Sequence, residues 1–284
     1  MTLKLFFSAA LFALATAVGS SDLKEDSLIE FQCGTQEPSE AHKAFSKSML
    51  QWERVSGRQR EPFTVDVYFH IISSSESTED GNISDEIVAE QMDIVNAAYA
   101  PHDISFKLVE TTRTVNAAWA AGSRAAEMKA QLRQGPYAAL NVYVVNVIGG
   151  TVLGYCPFPQ QVVEGDSTFL QDGCTIRGLT LPGSSTPPFN GGALVHEIGH
   201  WMDVYHTFQD GCSPGDRVDD TPAQATAGRE CDPNKVYDTC PNDPGTDPIH
   251  NWMNYTGDGC WEEFTPGQAA RMHSAWEVYR KPGA

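Results

Sequence analysis

The sequence predicts an α+β domain: a mixed, twisted sheet with helices, then one motif-bearing helix, then an irregular C-terminal part that closes on a helix. Three observations lead there. Runs rich in β-branched and aromatic residues (Phe63–Ile72, Ile104–Val109 and Leu140–Ile148) alternate with stretches whose apolar residues recur at helical spacing. Residues 207–260 are rich in Gly, Pro, Asp and Cys without such periodicity, as expected of loops pinned by disulfides. Thr265-Pro266-Gly267-Gln268 reads as a capping box with Pro at the first helical position, starting a helix over Gly267–Arg280.

In chain order, Lys4, the apolar run Leu5–Leu14 and the small residues Ala15-Thr16-Ala17 form the pattern of a signal peptide over residues 1–17. The run is short for a bilayer span and no later stretch reaches the required length, so a secreted, extracellular protein is expected. Residues 18–60 are polar, with a helix-like patch at Ala41–Trp52, and read as a propeptide or wrapped arm. The main domain is expected over 61–284. A Ser-, Glu- and Asp-rich turn at Ser73–Gly81 follows the first strand, and Asn82-Ile83-Ser84 is a glycosylation sequon at Asn82. Ser84 caps a helix carrying Val88, Met92, Val95 and Tyr99. A helix at Ala121–Arg133, short strands at Thr151–Tyr155 and Cys174–Leu181, and a helix beginning at Asn190 or Gly191 complete the reading.

The formal charge of the 284-residue chain is −18. Loss of Lys4 with a signal peptide makes it about −19, 18 basic against 37 acidic residues. That balance disfavours nucleic acid and anionic membranes as partners and suits an extracellular enzyme or calcium binder. Seven cysteines in an exported chain imply disulfides and leave one thiol over. Cys156 and Cys174 flank a loop and are read as one bridge. Cys212, Cys231, Cys240 and Cys260 allow three pairings.

The chemistry concentrates in His196-Glu197-Ile198-Gly199-His200-Trp201-Met202-Asp203-Val204-Tyr205-His206. Histidines four apart share a helical face and can reach one ion, while Glu197 is placed for a water beside it. His206 completes a three-histidine set only if the helix ends between Met202 and Val204 and the chain turns sharply. Three neutral imidazoles suit a single zinc ion with one open position.

This stretch resembles the metzincin motif HExxHxxGxxH, and Val195–Phe208 resembles the pappalysin family, in particular its secreted fungal extracellular metalloproteases. Further matches lie in Leu140–Val147, Leu153-Gly154-Tyr155, Pro157-Phe158-Pro159, the Met-turn-like Asn251–Tyr255, Cys260, Phe264-Thr265, Gln268 and Arg271-Met272, so the resemblance spans roughly 63–280. It implies a metzincin-like zincin domain and a zinc endopeptidase acting on protein or peptide substrates as a monomer. His196, His200 and His206 would bind zinc, Glu197 would be general base, Tyr255 an oxyanion donor and Met253 the structural Met-turn residue. Thr151–Tyr155 would align the substrate. Asp258 matches an acidic position that in some members selects a basic residue after the cut. The pairings implied are Cys212–Cys240 and Cys231–Cys260, and Asp216–Pro222 resembles a calcium loop with Asp216, Thr221 and backbone oxygens of Ser213 and Val218 as ligands. The leftover Cys33, in Gln32-Cys33-Gly34-Thr35, is either a zinc-ligating latency thiol or an arm cysteine without that role.

One residue departs from the family pattern. Asp203 stands where the motif has Gly, at a turn that Gly makes without strain. Asp enters the left-handed region at modest cost, so the site is expected to be retained. The competing expectation is a secreted binding protein on the same scaffold, with Asp203 weakening the metal site.

Overall fold

The computed structural model describes residues 30–56, 61–184 and 189–281. The expected signal peptide, 1–17, and the start of the arm lie outside the described residues. The described elements are α1 (Glu40–Ser56), β1 (Phe63–Ser73), α2 (Asp85–Tyr99), β2 (Ile104–Val115), α3 (Ala117–Ala120), α4 (Ala125–Leu132), β3 (Leu140–Val145), β4 (Gly154–Tyr155), α5 (Ser167–Gln171), β5 (Cys174–Arg177), α6 (Gly192–Trp201) and α7 (Pro266–Ala275). The five strands form one sheet in the order β2-β1-β3-β5-β4. All pairs are parallel except β4 with β5, which makes the sheet mixed and leaves β4 as an antiparallel edge.

Alternation along β1 builds two layers. Val65, Val67, Phe69 and Ile71 face α2 and α6, where Val88, Val95, Leu194, Ile198 and Trp201 fill the main core. Ile72, Tyr143 and Val145 pack on the other face against Trp119 of α3 and Met128 of α4. The Ser84 hydroxyl caps α2 by accepting from Ile87 N–H. Thr265 and Gln268 form the reciprocal capping box of α7, which winds into a wider turn at Trp276–Arg280.

Five of these elements differ from the sequence reading. The helix expected at Ala121–Arg133 begins only at Ala125, as α4, with the short α3 lying before the expected range, because Gly122 and Arg124 between them both take positive φ (77° and 53°). A Cβ at residue 122 would lie 2.6 Å from Val147 O, so the chain turns where only Gly fits. The edge strand is limited to Gly154–Tyr155, since Gly149 and Gly150 also hold positive φ just before it. β5 ends at Arg177 as Gly178–Thr180 coils into a 3-10 turn, and α5 was not anticipated. β2 runs six residues past Val109, carrying charged and Thr residues along the exposed edge of the sheet.

The C-terminal part has little regular structure before α7. It holds the disulfides Cys212–Cys240 and Cys231–Cys260, while Cys156–Cys174 ties the segment after β4 to β5. Among the described residues no helix is long and apolar enough to cross a membrane.

Candidate active site

Helix α6 starts on Gly191 (φ 95°), and its first N–H, that of Gly192, donates to Asp258 Oδ1 at 2.6 Å. A carboxylate at that position complements the positive end of the helix. Every residue of α6 is buried, so His196, Glu197 and His200 are fixed by packing on all sides. The helix ends at Trp201, and Asp203 takes φ 68°, the left-handed turn that reverses the chain toward His206. Gly199 is required by the floor of the site: a Cβ there would lie 2.3 Å from Met253 Sδ.

The three imidazoles converge. His196 Nδ1 lies 2.7 Å from Trp252 O and His200 Nδ1 2.9 Å from Val204 O, contacts in which each Nδ1–H donates and each Nε2 keeps its lone pair. His196 Nε2 is buried with no hydrogen-bond partner, and the Nε2 atoms of His200 and His206 face each other at 3.0 Å. Burial holds all three rings below the usual histidine range, with their mutual proximity adding to the effect at His196 and His206. Three neutral, buried nitrogen donors aimed at one point are costly unless a cation sits among them. Cys33 Sγ joins the cluster: one ligand atom from each of the four residues lies within 4.8 Å of the others. This donor set fits a four-coordinate zinc ion.

Glu197 sits beside the cluster with its carboxyl group fully buried. Burial pushes its pKa up to about 8, opposed by hydrogen bonds from Cys33, Thr35 and the Cys156 backbone. A cation alongside would favour the ionised form. Gly154 leaves it room, since a Cβ there would lie 2.9 Å from Glu197 Cγ and Oε1.

The N-terminal arm occupies the cleft. Leu153 N–H donates to Gln32 O (2.9 Å) and Gly34 N–H to Gly154 O (2.8 Å), pairing the arm with β4 in the parallel sense. Cys33 Sγ lies 3.4 Å from Glu197 Oε2, and burial, with the Glu197 charge adding, pushes the thiol up. Thr35 Oγ1 is 3.1 Å from Glu197 Oε2 and accepts from Cys156 N–H. Two residues before Cys33, the Phe31 ring meets His196, Tyr255 and Trp261 edge-on at 4.8, 5.4 and 4.9 Å. Arg229 donates to Phe31 O at 2.8 Å and stands over the Tyr255 ring. A cleft of about 600 Å³ continues between arm residues 34–42 and the segment from Val152 to Gln160.

The Tyr255 ring lies 5.0 Å from that of His206; burial, with Cys33 and Glu197 nearby, raises its phenol. Asp258 Oδ2 is buried without a hydrogen-bond partner, and burial pushes this acid up to about 6. Asp216 is also buried, with its pKa raised by burial to about 7. Its Oδ1 accepts from Val218 N–H, whereas its Oδ2 and the Thr221 hydroxyl are buried without good hydrogen bonds. Ser213 lies on the same loop, at the exposed surface. Asn82 lies in the turn before α2, with its amide donating to Glu76 O.

Sequence reasoning overlooked Phe31, Thr35 and Arg229, which carry no motif spacing. His42 gave no signal either, yet its Nε2 lies 2.5 Å from Asp203 Oδ1.

The family model described as pregnancy-associated plasma protein-A peptidases matches residues 132–277. An extracellular metalloprotease of Verticillium alfalfae is 44% identical over 285 residues, covering 97% of this chain and all of that protein. One of Pyricularia oryzae is 46% identical over 278 residues, covering 95% and 96%. Among solved structures, mature mirolysin of Tannerella forsythia in complex with a cleaved peptide superposes with a TM-score of 0.63 at 26% identity, covering 77% of this chain and 93% of that one. The promirolysin mutant E225A gives a TM-score of 0.67 at 24% identity, covering 88% and 94%. The chain therefore belongs to the pregnancy-associated plasma protein-A, or pappalysin, family of peptidases and is a metalloprotease with a zincin fold.

Proposed function

We propose that the chain is a secreted zinc endopeptidase that cleaves extracellular proteins, made as a form whose own N-terminal arm blocks the site. The observation that carries this reading is the convergence of the His196, His200 and His206 Nε2 atoms, with Glu197 buried beside them. A zinc ion held by those nitrogens would polarise the scissile carbonyl and acidify a water. Glu197 takes the proton at its carboxylate and returns it to the leaving amine. The Tyr255 phenol, kept protonated by burial, donates to the oxyanion. Met253 is packing beneath the histidines and has no chemical role. Asp203 supports the enzymatic reading over a binding protein, because it makes the turn that returns His206 to the cluster. Zinc analysis of the purified chain tests this: one zinc per chain is expected, lost in His200→Ala, and a folded parent that binds none would exclude it.

Substrate would pair with β4 once the arm leaves, in the antiparallel sense, through backbone groups common to all peptides. A basic side chain after the cut would reach Asp258, whose buried Oδ2 lacks a donor. Cys33 would fill the open metal position as thiolate until the arm is removed, keeping water out. The unprocessed Cys33→Ala protein is therefore expected to be more active than the unprocessed parent; equal activity would remove the latency reading. A calcium ion is proposed at Asp216 and Thr221, with backbone oxygens of Ser213 and Val218, because it would satisfy two buried oxygens at once. We further take Asn82 to be glycosylated and the protein to act as a monomer.

A further inference from the structure

Helix α1 of the arm is held by a polar seam that ends on the residue departing from the family motif. Asp203 is fully buried, and among the described residues its side-chain hydrogen bonds come from α1: His42 Nε2 at 2.5 Å and Ser46 Oγ at 3.3 Å. The Ser46 hydroxyl is also 2.8 Å from Tyr205 OH, so a chain of hydrogen bonds runs from Tyr205 through Ser46 to Asp203. The His42 ring packs among those of Phe158, Tyr205 and Tyr279. On either side, Lys43 meets Asp210 at 2.9 Å, and Arg271 holds Glu53 at 3.1 Å and Ser46 O at 3.3 Å. Gly would make the same turn without strain. The Asp side chain is not needed for φ 68°, and burying a carboxyl group is costly unless it is hydrogen-bonded. Its partners lie 157 and 161 residues away, on the segment that blocks the cleft.

We propose that the groove around Asp203 is a docking surface for the segment Glu40–Ser56 of this chain, with Asp203 as its recognition residue. The arm then has two anchors, Cys33 at the metal and His42 with Ser46 on Asp203. The second sets how often the first lets go. This proposal rests on the latency reading above, but its test does not depend on activity. Cys33 is the free thiol, the other six cysteines being disulfide-bonded.

The experiment measures the rate at which a maleimide labels Cys33 in the zinc-loaded, unprocessed full chain. His42→Ala combined with Ser46→Ala is expected to speed labelling roughly tenfold or more, the scale of a lost hydrogen bond to a charged group. Asp203→Gly is expected to do the same. The triple variant should label no faster than either, because all three substitutions break one contact. Unchanged labelling in the arm variants overturns the proposal, and so do effects that add. If Asp203→Gly fails to fold, the two arm substitutions still decide the docking claim, since they lie outside the catalytic body. Failure of latency would appear separately, as an unprocessed Cys33→Ala protein no more active than its parent.

Discussion

Gly154→Ala tests the geometry around Glu197 most sharply. The added methyl would lie 2.9 Å from both Glu197 Cγ and Oε1, and 3.2 Å from Cδ. Ordinary contact needs about 3.4 Å or more, so the carboxyl group must retreat by about 0.5 Å. It is buried on every side, so the shift cannot relax into solvent. A misplacement of about 1 Å costs about a hundredfold in rate, which scales to about tenfold in kcat here. The backbone pairing of Gly154 with Ile176 needs no side chain and should persist. KM is therefore expected to change by less than about twofold, since binding through backbone groups is uniform in ground and transition state. The assay is kcat and KM of the arm-free variant on a quenched fluorescent peptide, with zinc content measured alongside. A kcat within twofold of the parent would refute the placement of Glu197 against the edge strand. A lost zinc would refute the reading that packing on all sides of α6 fixes His196 and His200.

Other consequences can be measured separately. Asp258→Asn keeps the acceptor that caps α6 but removes the charge; cleavage before Arg or Lys should fall at least tenfold relative to cleavage before Leu in a peptide library. A library showing no basic preference in the parent would remove that idea. At Asp216 the folded-state pKa is raised to about 7, so the folded protein holds a proton that the unfolded chain releases. In calcium-free buffer stability should therefore fall as pH rises from about 4 to about 7, by at most about 4 kcal/mol. Added calcium should reverse the loss in thermal melts, and Asp216→Asn should flatten both responses; a parent melt indifferent to calcium would exclude the site. Replacing Cys212 and Cys240 together by Ala opens a link with a sequence separation of 28 and should cost about 3–4 kcal/mol in denaturant unfolding.

Legibility in the sequence tracked the range of the interaction. The Ser84 cap, the Thr265–Gln268 box and the period-2 core of β1 are written in neighbouring residues, and each forms locally. The metal cluster was legible because His196, Glu197 and His200 share one helical turn and His206 follows one reversal later. The late start of α4 was not, since it depends on Gly122 passing close to Val147 O in the segment after β3. The shortness of β4 depends on two glycines in left-handed or extended-mirror backbone, which single-residue propensity treats as permissive. The pairing of His42 with Asp203 joins residues 161 apart. Each looks ordinary alone: a histidine without ligand spacing, and an acid in place of Gly. Phe31 and Arg229 likewise acquire meaning only when the arm is laid along β4.

The proposed mechanism needs Glu197 as the base beside a metal held by three histidines. The most direct test is casein cleavage by the mature protein beside Glu197→Ala, each with zinc counted and each before and after a zinc chelator. One zinc per chain is expected in both proteins, with cleavage by the parent alone, lost with the chelator and returning when zinc is restored. Cleavage that survives in Glu197→Ala, or in zinc-stripped parent, would contradict it.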